Sequence, residues 1–325
     1  MTTRLLLLLA LPPAVRETYL QRLRSSFPDV HIDLVDHHSK VDPYIEDAEI
    51  LITFGPMTSE RVFERAHRLK WVQALGTGTD GITDRPSLAP HVLVTNVRGV
   101  HGDAMSEAAL MLMLALSRQL PRSLECQARH SWERFPARLL TGKTAGIVGV
   151  GVIAEDLAPK CKAFGMRVVG VTSGVRPLAG FDEMLPRAAL TEVAARVDFL
   201  ILLTPYSPST HGLVNAAVLS AMKPSAYLIN LARGGVVDEA ALLRALQDKR
   251  IAGAALDVFA TEPLPADSPL WSAPNVIVTA HQGGFHDEYP ARALPIIEEN
   301  IRHFVAGRFD RMLNRVERAA DGRGG

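Results

Sequence analysis

The sequence predicts an α/β protein with two doubly wound parallel-sheet domains and a cleft between them. Its 325 residues correspond to about two domains. Apolar strand-like runs alternate with helical patterns along most of the chain, which is the order that βαβ units produce in a parallel sheet covered on both faces. One long apolar segment divides this alternation into an early and a late series, and we expect each series to form its own sheet.

The early series has five predicted strands, at residues 4–9, 31–35, 49–53, 71–74 and 92–95. Helical patterns at residues 14–25 and 59–66 lie between them. The leucine run after Arg4 imitates a short secretory signal, but it stops at Pro12-Pro13 without a clear cleavage site. We therefore expect it to be a buried first strand.

The late series has six predicted strands, at residues 145–150, 167–171, 198–203, 226–230, 252–258 and 276–279. A helix is predicted at 290–304. The dividing segment, 103–117, is apolar on nearly all sides, so we expect a helix buried at a domain or subunit junction. Residues 319–325 are rich in Gly and Arg, and we expect them to fray.

The composition is that of an ordinary globular protein. It is 47% hydrophobic and 22% charged, with 35 basic and 35 acidic residues, so it offers no net field for nucleic acid or anionic lipid. We expect no metal, nucleic-acid or membrane ligand. The cysteines Cys126 and Cys161 form no CxxC pair, which favours a reducing, cytoplasmic compartment.

Residues 149–154 form the strongest local motif, a G-x-G-x-x-A sequence. Gly149 permits a tight strand-to-helix turn, Gly151 lets the backbone approach a pyrophosphate, and Ala154 allows close packing. The helix amides that would hold the phosphate charge are those of Val152 and Ile153. A plain tight turn is the alternative, but the preceding strand, the helical pattern and the next strand favour a Rossmann dinucleotide-binding domain.

The end of the next strand bears on the cofactor. Dinucleotide sites that bind NAD usually carry an acidic residue there, whereas this chain has Thr172. Ser173 and Arg176 could bind a 2′-phosphate. We therefore favour NADP(H), with NAD(H) as the alternative if Arg176 is only a solvated loop residue.

Several separated motifs resemble the D-isomer-specific 2-hydroxyacid dehydrogenase family, and among its members glyoxylate/hydroxypyruvate reductases. They are the segments 76–80, 94–99 with 105–107, 230–238, 255–259 with 262–265, and 279–284. The resemblance runs from about residue 50 to 308. It implies a Rossmann cofactor domain at 98–285, a flavodoxin-like substrate domain at 1–97 with 286–325, and a homodimer.

The resemblance implies a catalytic set of Arg233, Glu262 and His281, and the chemistry agrees. Hydride transfer to a carbonyl carbon needs an acid–base for the oxygen, and a histidine titrates near neutrality. A carboxylate orients the imidazole, and a guanidinium binds a substrate carboxylate and developing oxyanion charge. The alternatives are His286 as the acid–base, Glu262 as a turn residue and Arg233 as a structural cap.

Further binding residues follow from the resemblance, although each could be only a turn residue. Those expected at the substrate are Phe54, Gly55, Thr77 and Gly78, together with Arg233 and His281. Those expected at the cofactor are Thr204, Pro205, Leu231, Asp257 and Gly283. Asp257 would accept the nicotinamide amide. Trp132 is interpreted as a packing residue.

Two features depart from the family pattern. Ala280 replaces the proline that usually precedes the histidine, which removes a φ restraint from this loop. Phe285 and His286 stand where small hydroxyl residues are common.

The chain ends soon after its last predicted helix, and we expect no regulatory C-terminal domain. The remaining alternatives are a dinucleotide-sensing, corepressor-like binding protein and a formate- or phosphite-type dehydrogenase.

Overall fold

A computed structural model describes residues 2–317 of the chain. The predicted frayed tail, 319–325, lies outside the described residues. The chain divides into two compact units: residues 1–100 with 287–325, and residues 101–286.

Strands and helices alternate along most of the chain. The strands are β1 (Arg4–Leu8), β2 (His31–Val35), β3 (Ile50–Thr53), β4 (Trp71–Ala74), β5 (Leu93–Thr95), β6 (Thr144–Val148), β7 (Arg167–Thr172), β8 (Glu183–Pro186), β9 (Phe199–Leu202), β10 (Tyr227–Asn230), β11 (Gly253–Leu256) and β12 (Val276–Val278). The α-helices are α1 (Pro13–Ser26), α2 (Asp42–Ile45), α3 (Glu60–Glu64), α4 (Gly102–Ser117), α5 (Leu120–Ala128), α6 (Val152–Ala163), α7 (Leu190–Arg196), α8 (Ala216–Ala221), α9 (Glu239–Gln247) and α10 (Tyr289–Val305).

The first unit is built on a five-stranded parallel sheet in the order β2-β1-β3-β4-β5. This is the flavodoxin-like order. Successive leucines of β1 point to opposite faces, so Leu5 and Leu7 pack with α1 and α10, while Leu6 and Leu8 join a second core cluster. Both faces are therefore apolar, which is the condition for a buried parallel sheet.

The second unit is built on a seven-stranded parallel sheet in the order β12-β11-β10-β9-β6-β7-β8. The chain reverses its direction of winding between β6 and β9, and such a switch point is where ligands bind in this kind of sheet. The α4 and α6 residues Leu112 and Leu157 cover one face of the sheet. The helices α7 and α9 cover the other through Val193 and Leu242.

The predicted fold class of two doubly wound α/β units with parallel sheets is confirmed. Strand ends differ by a few residues. The predicted strand at 145–150, for example, ends at Val148, because Gly149 has a φ of 93° and leaves the extended conformation. The strand β8 is absent from the sequence-based prediction, since its four residues lie at the sheet edge and are only partly buried.

The helix α4 buries one side against the second unit's core, while Met111 on this helix remains 52% exposed. The expected burial of the helix at a domain or subunit junction stays a prediction. Trp132 is 94% exposed, so it does not pack in the core of this chain. Among residues 2–317, no helix combines the length and apolar character that a membrane span requires. Cys126 and Cys161 are buried and free.

Candidate active site

Three neighbouring strands of the second unit carry the predicted catalytic residues just beyond their carboxyl ends. Arg233 follows β10, Glu262 lies in the loop after β11, and His281 follows β12. The order of the sheet puts β10, β11 and β12 side by side, all parallel. Residues that are far apart in the sequence are therefore presented at the same edge.

His281 and Glu262 are directly bonded. The Nδ1 atom of His281 lies 2.7 Å from Glu262 Oε2, and Glu262 Oε1 accepts a 2.9 Å hydrogen bond from the backbone N–H of Phe259. Burial raises the pKa of Glu262, but the bonds from His281 and Phe259 and the charge of Arg233 outweigh it and hold this pKa below its ordinary value. Because an ionised carboxylate only accepts, Nδ1 carries the hydrogen and Nε2 is the nitrogen directed away from Glu262.

Arg233 lies in extended backbone before a short 3-10 turn that begins at Gly234. A Cβ atom at position 234 would come within 1.8 Å of the Phe259 carbonyl carbon, so only glycine lets this turn pack on the segment that leads to Glu262. Arg233 Nη1 donates to the Ala232 carbonyl at 2.7 Å. The positive charge of the same guanidinium is one of the causes that lower the pKa of Glu262.

Asp257 organises the loop that carries His281. Its Oδ1 accepts from Thr279 Oγ1 at 2.5 Å and from the Gln282 N–H at 3.0 Å, and its Oδ2 accepts from the Gly283 N–H at 2.9 Å. Its backbone carbonyl accepts from the His281 N–H at 2.7 Å. His281 itself has a φ of 49°, an unusual value for a residue with a side chain. The hydrogen bonds to Asp257 thus restrain the backbone of this loop, where Ala280 lacks the φ restraint of a proline.

The sequence-based prediction for Asp257 covers only a bond to the cofactor amide, and this role in the loop was missed. Asp257 is 2% exposed, and a buried carboxylate needs several donors. A signal for this role was present in the sequence. Asp257 is an acidic residue directly after an apolar strand, and the backbone N–H donors of residues 279–284 follow the adjacent strand, β12.

The glycine loop fits a dinucleotide pyrophosphate. A Cβ atom at Gly149 would lie 2.4 Å from the backbone of Thr204, so glycine is required where the ends of β6 and β9 meet. At Gly151, by contrast, a Cβ atom would have no neighbour within 4 Å among the described residues. No side chain of residues 2–317 caps the first turn of α6, which leaves its amides, including those of Val152 and Ile153, directed at that open space.

The residues predicted to select the cofactor follow β7. Thr172 ends the strand, and Ser173 and Arg176 are exposed. Arg176 Nη2 lies 2.8 Å from Glu155 Oε1, in the first turn of α6. This ion pair places the guanidinium beside the first turn of α6. The pairing of Glu155 has no signal in the sequence, because a glutamate near a helix N-terminus has an ordinary role there.

The other predicted cofactor residues border the same sheet edge. Thr204 and Leu231 follow β9 and β10 and are 4% exposed each, and the Pro205 carbonyl accepts from Thr210 Oγ1. A Cβ atom at Gly283 would lie 3.1 Å from Leu231 Cδ2 and 3.0 Å from Asp257 Oδ2. Leu231, Asp257 and Gly283 therefore pack together.

The predicted substrate residues of the first unit also form one group. Phe54 and Gly55 follow β3, and Thr77 and Gly78 follow the neighbouring strand β4. A Cβ atom at Gly55 would lie 1.8 Å from the Asp80 carbonyl oxygen, so this glycine lets the two loops meet. The Thr77 carbonyl accepts from Asn96 Nδ2 at 2.7 Å, which ties the loop to the chain after β5.

Comparisons with known proteins agree on one family. Residues 110–283 match the family model described as D-isomer specific 2-hydroxyacid dehydrogenase, NAD binding domain. The D-3-phosphoglycerate dehydrogenase of Methanocaldococcus jannaschii is 33% identical over 277 residues, which are 81% of this chain and 51% of the relative. That of Mycobacterium tuberculosis is 36% identical over 268 residues, 82% of this chain and 51% of the relative. The chain spans about half the length of these curated relatives.

Solved structures match along almost the whole chain. A D-isomer specific 2-hydroxyacid dehydrogenase family protein from Aeromonas salmonicida is 33% identical with a TM-score of 0.88, covering 98% of this chain and 99% of that one. An NADPH-dependent glyoxylate/hydroxypyruvate reductase from Sinorhizobium meliloti, in complex with NADP and sulfate, is 29% identical with a TM-score of 0.85 and covers 98% and 99%.

Proposed function

Because this chain belongs to the D-isomer-specific 2-hydroxyacid dehydrogenase family, we propose that it is an oxidoreductase that transfers a hydride between NAD(P)H and a small 2-oxo acid of the glyoxylate or hydroxypyruvate type. The observation that carries the proposal is the pair of His281 Nδ1 and Glu262 Oε2, 2.7 Å apart, with the charge of Arg233 acting on the pKa of Glu262. The likeness to the Sinorhizobium meliloti reductase supports the choice of substrate class.

The proposed roles follow from the chemistry of each group. Arg233 binds the substrate carboxylate and stabilises negative charge on the carbonyl oxygen. His281 gives a proton to that oxygen through Nε2, while Glu262 holds Nδ1 and so fixes the orientation of the ring. When it is bound, the reduced nicotinamide supplies the hydride. In the oxidative direction His281 takes the hydroxyl proton instead.

We assign the two units complementary tasks. The second unit binds the dinucleotide through Gly149, Gly151 and the first turn of α6. The first unit binds the substrate carboxylate through the backbone amides around Thr77 and Gly78, with Phe54 and Gly55 beside them. The support is that both loops lie at carboxyl ends of parallel strands, where ligands bind in sheets of this kind.

The proposal predicts that Gly151→Ala raises the Kd of NADP(H) by a factor on the order of 10, because the new methyl group would fill the space of the pyrophosphate. The melting temperature of the free protein should change by no more than about 2 °C, since the φ of −136° suits alanine. Cofactor titration by fluorescence and thermal unfolding measure the two effects.

Gly149→Ala is the contrasting control. At a φ of 93° and against the Thr204 backbone, alanine should destabilise the protein itself by about 2 kcal/mol or more. Similar losses of stability in both variants, with unchanged cofactor affinity in Gly151→Ala, would contradict the assignment of the loop.

We further propose that NADPH is the preferred cofactor. No acidic residue stands at the end of β7, where one would repel a 2′-phosphate, and Arg176 lies beside the first turn of α6 through its ion pair with Glu155. Arg176→Ala should raise the KM for NADPH about tenfold and leave the KM for NADH within about twofold. Initial rates with the two cofactors measure the difference.

Lys162→Ala is the matched control, because Lys162 is also an exposed cation in an ion pair, with Asp182 at 2.7 Å. It should change neither KM. A clear preference of the unaltered protein for NADH, or an equal change of both KM values in Arg176→Ala, would count against NADP selectivity.

We also propose that the protein works as a homodimer in the cytoplasm. Exposed apolar side chains are concentrated between residues 111 and 139. Five lie in this segment: Met111, Leu120, Leu124, Trp132 and Leu139. A surface this apolar suits an interface with a second copy. The two buried, free cysteines suit a reducing compartment.

Trp132→Asp should convert the dimer to a monomer at micromolar concentration, because a charge would replace the most exposed aromatic anchor. Size-exclusion chromatography with light scattering measures the mass. Val305→Asp, at an apolar residue that is 53% exposed on α10, is the control and should remain dimeric. A monomeric unaltered protein would refute the dimer.

The experiment that tests the function as a whole is a spectrophotometric screen at 340 nm. Glyoxylate, hydroxypyruvate, pyruvate and bulkier 2-oxo acids are each offered with NADPH and with NADH. We expect oxidation of NADPH with the small 2-oxo acids. Binding of the cofactor without turnover of any of them would instead favour the dinucleotide-sensing protein.

A further inference from the structure

A buried tyrosine contacts the loop that we assign to the substrate carboxylate. Tyr289 is the first residue of α10 and is 3% exposed. Its hydroxyl donates a hydrogen bond to the backbone carbonyl of Leu75, which is fully buried and lies two residues before Thr77. The pairing of β4 with β5 ends at Gln73, so the Tyr289 hydroxyl supplies a donor to the chain beyond this ladder.

The ring of Tyr289 packs on the second loop of the same group. Its centroid lies 6.1 Å from that of Phe54, with the ring planes inclined by 38°. This separation is within the range of favourable aromatic pairs. Phe54 directly precedes Gly55, and the N–H of Leu75 donates to the carbonyl of Thr53 at 2.8 Å. One side chain of α10 therefore contacts both loops, those that follow β3 and β4.

The position of the loop after β4 bears on substrate binding, on the premise that the proposed function is correct. Backbone amides around Thr77 and Gly78 are proposed to bind the substrate carboxylate, and such bonds weaken steeply when the donor turns away from the acceptor. Asn96 holds this loop through the 2.7 Å bond of its Nδ2 to the Thr77 carbonyl. Tyr289 holds it two residues earlier, at Leu75. Loss of one of these two restraints should therefore shift the amides without unfolding the loop.

We propose that Tyr289 is a positioning residue, which acts through Leu75 and Phe54 to orient the loop amides that bind the carboxylate of a 2-oxo acid. The carboxylate is common to all such acids, and its bonds do not change during hydride transfer. Tyr289 therefore acts on binding of the substrate in the ground state and in the transition state alike. The loss of such uniform binding raises KM and leaves kcat almost unchanged.

Tyr289→Phe removes the hydroxyl and keeps the ring, so it separates the hydrogen bond from the packing. The KM values for glyoxylate, hydroxypyruvate and pyruvate should all rise by the same factor, on the order of 10, while kcat stays within about threefold. The Kd of NADPH should not change, because the glycine loop proposed to bind it belongs to the second unit. Initial rates and NADPH titration measure these constants.

Tyr19→Phe is the matched control. Tyr19 is fully buried in the same core cluster as Tyr289, and its hydroxyl has no hydrogen-bond partner within residues 2–317. The substitution removes the same atom from the same core without breaking a bond to the substrate loop. Tyr19→Phe should therefore leave all three KM values unchanged.

A merely structural role of Tyr289 predicts a different result. The positioning role would be overturned if Tyr289→Phe lowered the melting temperature or kcat with KM unchanged, or if Tyr19→Phe raised KM as much. A rise of KM for only one of the acids would also overturn it. These results would leave the proposed function standing, whereas an unaltered protein that reduces none of the acids would refute the function and this inference with it. If Tyr289→Phe does not fold, as judged by thermal unfolding and NADPH binding, Tyr289→Met also lacks the hydroxyl and provides the same comparison.

Discussion

His281→Ala should lower kcat by a factor on the order of 10²–10⁴, because it removes the group that we propose exchanges a proton with the substrate oxygen. The orientation of this group is fixed by the 2.7 Å bond from Nδ1 to Glu262 and by the backbone bond of His281 to Asp257. Cofactor binding should persist, since the glycine loop lies after β6 and the histidine after β12. Steady-state rates together with NADPH titration measure both effects.

His286→Ala is the control for the alternative acid–base. The described bond to Glu262 is made by His281, and we therefore expect His286→Ala to keep most of its turnover. A near-normal rate in His281→Ala, or a much larger loss in His286→Ala, would transfer the assignment to His286 or to another group.

Arg233→Ala should lower kcat/KM by a factor on the order of 10³, with KM rising and kcat falling together. The guanidinium is proposed to bind the carboxylate in the ground state and the oxygen charge in the transition state, so its removal affects both constants. Arg233→Lys should recover only part of the loss, because an ammonium group cannot form the paired bonds of a guanidinium.

The alternative is that Arg233 serves only the structure of its turn, and this predicts a different result for Arg233→Ala. Its Nη1 bond to Ala232 and the contact of Gly234 with Phe259 belong to the turn itself. If Arg233→Ala lowered the melting temperature but left both kinetic constants near normal, Arg233 would be a cap of this turn and not a substrate ligand.

Much of the fold was predictable because its signals are local. A run such as Leu5–Leu8 predicts a strand buried on both faces from its side chains alone. The conformation of Gly149 was predictable for the same reason, since a tight strand-to-helix turn requires a residue that tolerates positive φ. The edge strand β8 was not, because four partly buried residues carry no clear period.

In the candidate site, too, the residue identities were predictable and the contacts between the residues were not. The identities of Arg233, Glu262 and His281 came from motifs, yet the bond between two of them joins residues 19 positions apart. The hydrogen bonds of Asp257 to the loop at 279–283 and the pairing of Arg176 with Glu155 had no local signal. The exposure of Trp132 had no local signal either, since a large apolar ring occurs both in cores and at surfaces.

By itself, the sequence determined the two series of strands, the turn glycines and the residue types available for catalysis, because periodicity and backbone sterics act over a few residues. Only the tertiary structure decided which of them meet. The parallel order of β10, β11 and β12 brings three loops that are distant in the sequence to one edge of the sheet. Buried polar atoms there, such as the carboxylate oxygens of Asp257, then accept hydrogen bonds from the adjacent loop.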